Sequence, residues 1–230
     1  MLSVVATPIG NLGDITLRAI ETLRSCDLVV CEDTRVTGRL LQHLEMKKPL
    51  LSFHAQSGGK RLEEVLAQLQ ENKHVCLVTD AGTPGISDPG SELIGRAAEA
   101  GVKIVPIPGA SAFLMAIMGS GFPINEFAYL GFVPHKKGRQ TFFREVAASE
   151  RTSVFYESPH RLLKALESLV AECPDRQITV ARELTKMFEE FFRGTPSEAL
   201  DYFQKKGVKG EFVIIVAPLR KMRFEPDSDS

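Results

Sequence analysis

Net charge is nearly absent from this chain: 28 Lys and Arg stand against 29 Asp and Glu, leaving −1 over 230 residues. No global field draws it to nucleic acid or to an acidic membrane, so any RNA partner must meet a local basic patch. Cysteine is sparse. Cys26, Cys31, Cys76 and Cys173 form no C-x-x-C pair, and Cys31 and Cys76 lie in apolar strand-like runs. Buried free thiols in a reducing compartment are expected, not a disulfide framework. One uncharged run, 104–125, reaches membrane length, but Pro106, Pro108, Pro123, Gly109, Gly119 and Gly121 interrupt it. Such a run would not hold as a single spanning helix. The opening MLSVVATPIG has too short an apolar stretch for a signal peptide and no positive charge before it. The expectation is a cytoplasmic, soluble protein with no membrane partner. The five histidines share no ligand spacing and H-E-x-x-H is missing, so no metal site is expected. No G-x-S-x-G elbow, Walker lysine or G-x-G-x-x-G fingerprint occurs either.

What is present is strand–helix alternation. With 43% apolar and 25% charged residues, the chain reads as one large or two modest globular domains. Strands are predicted at 2–6, 28–31, 50–53, 75–79 and 102–105. Helices are predicted at 14–25, from the EDTR turn to about 45, and at 60–71, 89–100 and 111–118. This alternation argues for a parallel sheet with helices on both faces. GSGFPINE, 119–126, reads as a linker. Beyond it, strands are predicted at 127–131, 152–156, 177–182, 187–193 and 211–217, and helices at 138–148, 158–171 and 195–206. Ser158-Pro159 and Thr195-Pro196-Ser197-Glu198 mark two helix starts, the second as a capping box. The expected division is an N-terminal α/β domain with a mostly parallel sheet over 1–120, a C-terminal α/β domain over 121–218, and a frayed tail over 219–230.

Three loops carry the chemistry, each after a predicted strand. TPIGNLGD, 7–14, has Gly10 and Gly13 to turn tightly; the plain alternative is a strand–helix turn capped by Asp14. TDAGTPGISDPG, 79–90, packs backbone-permissive and backbone-fixing residues together at a strand end, where ligands of open α/β sheets sit. Its plain alternative is a connector with Asp88 capping the next helix. PIPGASA, 106–112, leads into a helix through small residues, or is only the tight start of a buried helix. Together they read as a backbone-lined pocket with few charged side chains, suited to a zwitterionic cofactor rather than a triphosphate.

Three further clusters are less decisive. EDTR, 32–35, places Glu32, Asp33 and Arg35 at a strand end, either orienting a substrate or capping a helix. RELTKMFEEFFRG, 182–194, reads as a polar site wall or as a guarded strand edge. PHKKGRQTFFRE, 134–145, holds Lys136, Lys137, Arg139 and Arg144. It is a candidate track for a phosphate backbone, or a solvated helix face over core phenylalanines.

In this order, TPIGNLGDIT, EDTR, TDAGTPGISDPG, PIPGASA, GFVPHKKGR, FYESPHRL, RELTKMFEEFFRGT and KGEFVIIV resemble the tetrapyrrole methylase superfamily. Within it they resemble the branch that methylates the ribose 2′-oxygen of a cytidine in small-subunit ribosomal RNA. The resemblance implies two α/β domains with S-adenosyl-L-methionine in the interdomain cleft, and a homodimer. It implies cofactor contacts at Gly82, Thr83, Ile86, Ser111, Ala112, Phe155, Tyr156, Gly210 and Glu211, with Pro8 and Gly10 in the loop lining the opening. The implied partner is the RNA itself or the assembled 30S subunit, met by Arg35, Lys136, Lys137, Arg139 and Arg144. Lys186, with a pKa lowered by burial, and Asp33 and Glu183 are candidates to activate the 2′-hydroxyl. A methyltransferase for a tetrapyrrole or other small acceptor, and a non-enzymatic module that docks on ribosomes, are the competing readings.

Overall fold

The structure, a computed structural model, describes residues 1–54 and 56–219. It divides into two units, Met1–Ser111 and a second beginning at Ala112. The boundary falls ahead of the helix Ala112–Met118, not at residue 120, because that helix packs on strands of the second sheet. Of the tail expected at 219–230, all but Leu219 lies outside the described residues. No helix among the described residues is long and apolar enough to cross a membrane.

The first unit runs β1 (Leu2–Val5), α1 (Leu17–Ser25), β2 (Leu28–Cys31), α2 (Thr34–His43), β3 (Leu50–Ser52), α3 (Gly58–Gln70), β4 (Val75–Leu77), α4 (Gly90–Glu99), β5 (Ile104–Ile107). Its sheet has the order β3-β2-β4-β1-β5, all parallel. Neighbouring strand residues serve opposite cores. Val4, Val30, Val75 and Leu77 pack with Leu62, Val65 and Leu66 of α3 and Leu93 of α4. Val5, Val29, Cys31 and Cys76 pack with Leu23 of α1 and Leu41 of α2. Burial on both faces explains why these strands read as continuous apolar runs. All four cysteines are buried free thiols.

Most boundaries shift by a few residues, and two of the shifts have a clear physical cause. α1 begins at Leu17, not 14: Thr16 accepts the Ala19 N–H at 3.1 Å, while Leu12–Asp14 forms a separate 3₁₀ turn. Asp14 is therefore not the cap. β5 lies at Ile104–Ile107 rather than 102–105, with Pro106 inside it. Pro106 is tolerated because β5 is the sheet edge and its missing N–H breaks no ladder.

The second unit runs α5 (Ala112–Met118), β6 (Phe127–Phe132), α6 (Arg139–Ala148), β7 (Thr152–Glu157), α7 (Leu162–Glu172), β8 (Ile178–Arg182), β9 (Glu190–Gly194), α8 (Pro196–Lys206), β10 (Phe212–Val216). The sheet order is β6-β7-β10-β8-β9, parallel only between β6 and β7. Phe143, Phe155, Leu166, Phe203 and Ile214 centre its core. The Thr195–Glu198 capping box forms as expected. Ser158 heads only a 3₁₀ turn, Pro159–Arg161, and its hydroxyl accepts from Arg161 Nε instead of capping.

Candidate functional site

In the first unit the three glycine-bearing loops leave β1, β4 and β5, which are neighbours in the order β4-β1-β5. The fold thus sets side by side segments far apart in the chain, and hydrogen bonds lock them. Thr7 N–H donates to Gly82 O and Gly82 N–H to Thr7 O, at 2.9 and 3.1 Å. Thr83 Oγ1 donates to Ala110 O at 3.1 Å. Gly109 is needed for contact: a Cβ there would meet Ala6 Cβ at 2.8 Å. The Asp88 carboxylate accepts from Gly85 N–H and Gly90 N–H, at 2.8 Å each to Oδ1. The amides of Gly13, Gly82, Gly85 and Gly90 are therefore engaged within the loops. The glycines supply close approach and stiffness more than free donors. Pro8 and Thr83 are half-buried, Ser111 is buried, and Gly10 and Ile86 are exposed.

The EDTR turn leaves β2, next to β4. Asp33 caps α2, accepting Arg35 N–H at 2.8 Å, and its carboxylate pairs with the Arg35 guanidinium at 2.6 Å. Arg35 holds the Asp33 pKa down to about 2. Asp33 is thus engaged as helix cap and as partner of Arg35. Glu32, which the sequence offered only as part of this turn, is the carboxylate pushed upward. Burial raises it first, the Asp80 charge second, against the Thr79 hydroxyl 3.3 Å away.

In the second unit Lys186 Nζ sits 3.0 Å from both Glu183 Oε1 and Glu211 Oε2. Glu183 Oε1 also accepts the Glu211 N–H at 3.0 Å. Burial alone would lower the Lys186 ammonium, but the two carboxylates outweigh it and the pKa is raised. This reverses the expected direction: Lys186 is a held cation. Glu183 and Thr185 take left-handed backbone, φ 50° and 65°, a strain that persists only where surroundings enforce it. Gly210 is glycine because a Cβ would lie 2.6 Å from Glu183 Cγ.

Residues 1–200 match the family model for tetrapyrrole (corrin/porphyrin) methylases. The chain belongs to that family. Several relatives bear the name ribosomal RNA small subunit methyltransferase I, two of which illustrate the match. One, from Synechocystis sp., is 48% identical over 94% of this chain and 78% of its own length. The other, from Thermotoga maritima, is 45% identical over 94% and 97%. Crystallised methyltransferase CobJ shares the fold, with TM-score 0.71 and 21% identity over 98% of this chain and 97% of its own.

Against this methylase fold, several expected contact residues divide. Phe155 and Tyr156, adjacent on β7, point to opposite faces. Phe155 is fully buried, its ring edge-on to Phe142 at 5.2 Å, so its side chain cannot reach a ligand. Tyr156 is half-buried and its hydroxyl accepts Phe113 N–H at 3.3 Å; burial, then Tyr129, pushes its pKa up. Arg139 is not a free RNA-facing cation. It pairs with the buried Glu157 at 3.3 Å, and Arg161 takes the other carboxylate oxygen at 2.8 Å. Arg144 reaches Glu172 at 3.8 Å but stays largely exposed, and Lys136 and Lys137 are exposed.

Proposed function

We propose that this protein methylates the ribose 2′-oxygen of a cytidine in small-subunit ribosomal RNA, with S-adenosyl-L-methionine as donor. The observation that carries this is 48% identity, across nearly the whole chain, to a relative named for small-subunit ribosomal RNA methylation. The loops fit such a donor: 7–14, 79–90 and 106–112 contain no Lys or Arg, which suits a ligand without phosphates. When bound, the donor supplies a sulfonium methyl open to direct displacement. The proposal gives contact with it to Pro8, Gly10, Gly82, Thr83, Ile86 and Ser111 in the first unit. In the second it gives contact to Ala112, Tyr156, the main chain of Phe155, Gly210 and Glu211.

Displacement needs alignment above all, which can supply on the order of 7–11 kcal/mol of the barrier. Rigid, cross-bonded loops suit that task. A ribose hydroxyl is a weak nucleophile, so a proton acceptor assists it. Glu32 takes that role in this reading: it stands at the end of β2 beside the Thr79 hydroxyl, and burial and the Asp80 charge raise its basicity. Lys186 supplies a fixed positive charge, positioned by Glu183 and Glu211. The protein acts in the cytoplasm as a homodimer, on the RNA or the assembled 30S subunit.

Tritium from labelled donor should map to the 2′-oxygen of one cytidine in small-subunit RNA from a strain lacking this protein. Label on a base, or none above background, refutes the assignment. Lys186→Ala should lose turnover and keep donor affinity; full transfer would remove Lys186 from the reaction.

A further inference from the structure

One end of the second sheet holds an exposed aromatic ring beside exposed lysines. Along β6, Tyr129 pairs with Val154 but Phe132 pairs with Tyr156, so three steps on β6 match two on β7. Gly131, at φ 65°, takes up the extra residue. This bulge re-aims the strand end. It leaves Phe132 56% exposed, with its ring 5.0 Å from that of Tyr156. Tyr156 is itself braced, 5.7 Å from Tyr129, which lies 4.4 Å from Phe113. Phe132 is therefore the outer member of a supported run of rings. The chain then turns through His135, Lys136 and Lys137, all exposed, before Arg139 folds inward to Glu157.

A supported ring that ends at water presents a preformed flat apolar face. Flanking ammonium groups argue for an occupant with both a flat apolar face and negative charge. An unstacked nucleotide has both, and sequence-specific RNA recognition works mainly on unstacked bases. We propose that one unstacked base of the RNA substrate stacks on Phe132 while Lys136 and Lys137 hold the phosphates beside it. This rests on the RNA methyl-transfer reading above and deepens it.

The test uses the full chain with two probes. One is small ribosomal subunits from a strain lacking the protein. The other is a single-stranded oligoribonucleotide carrying a fluorescent base analogue. Phe132→Ala should weaken RNA binding about 10- to 100-fold, abolish fluorescence quenching, and leave donor affinity and oligomeric state unchanged. Phe132→Trp should retain binding, while Phe132→Leu, apolar but without a π-face, should not. Changing Lys136 and Lys137 to Ala together should flatten the salt dependence of binding by about two in log–log slope. Phe132→Ala should leave that slope intact. Unchanged binding in Phe132→Ala, rescue by leucine, or a loss of donor affinity or of subunit association overturns the proposal. If the wild type quenches the probe yet transfers no methyl, the stacking site stands and the methyl-transfer reading fails.

Discussion

Replacing Gly210 with Ala strikes the most tightly determined point of the candidate site. Gly210 takes φ 99°, where an alanine costs about 1–2 kcal/mol. Its Cβ would also lie 2.6 Å from Glu183 Cγ and 2.7 Å from Cδ. Glu183 cannot swing aside cheaply, because its Oε1 holds both Lys186 Nζ and Glu211 N–H at 3.0 Å. Overpacking of this kind costs about 1–3 kcal/mol. Together the two effects come to about 3 kcal/mol, a fall in Tm of roughly 6–12 °C for a chain of this length. In a Glu183→Gly background the contact is gone, so Gly210→Ala should cost only the backbone strain, about 1–2 kcal/mol. Denaturant unfolding of the wild type, both single variants and the double variant measures the difference as a coupling energy. Equal cost in the two backgrounds would refute the claim that Gly210 makes room for Glu183.

The same geometry sets further outcomes. Glu157→Ala strands two guanidinium groups that share one buried carboxylate and should destabilise by about 3–5 kcal/mol, read by denaturant midpoint. Arg139→Ala should lower Tm without altering the salt dependence of RNA binding; a flatter slope would return Arg139 to the RNA surface. Thr195→Ala removes a formed capping box and should cost about 1 kcal/mol, again by unfolding. Methyl transfer should fall on the acid side as Glu32 gains its proton, at a pH above the ordinary carboxylate value. Glu32→Gln should erase that limb and reduce kcat about 10²–10⁴-fold; an unchanged pH–rate profile removes Glu32 as the acceptor. Lys186, raised by its carboxylates, adds stability that is complete below its ordinary 10.5 and lost as pH climbs through the folded value. Lys186→Met should make alkaline unfolding less steep.

Local signals were readable where one short segment decides the outcome. Helix α8 starts at the Thr195–Glu198 box because cap and partner lie within one turn. Phe142 and Phe143 fall in the core, as the reading of 134–145 as a helix face over phenylalanines allowed. Signals failed where the answer needs a partner distant in sequence. The direction of the Lys186 shift depends on Glu211, and the inward turn of Arg139 depends on Glu157. Pro106 reads as a strand terminator until β5 proves to be an edge. Asp33 and Glu32, adjacent in one turn, shift in opposite directions because Arg35 folds back on the first while burial and Asp80 act on the second.

The chain alone dictates its alternation of strands and helices, its bends of glycine and proline, and the scarcity of cations in those bends. These follow from side-chain periodicity and backbone sterics over a few residues. Tertiary structure decides that β1 lies between β4 and β5, so that three bends become one braced rim. It also decides that burial and Asp80 push the Glu32 carboxylate upward and that two carboxylates hold Lys186 as a cation, because a group's pKa is set by the burial and neighbouring charges that folding brings to it.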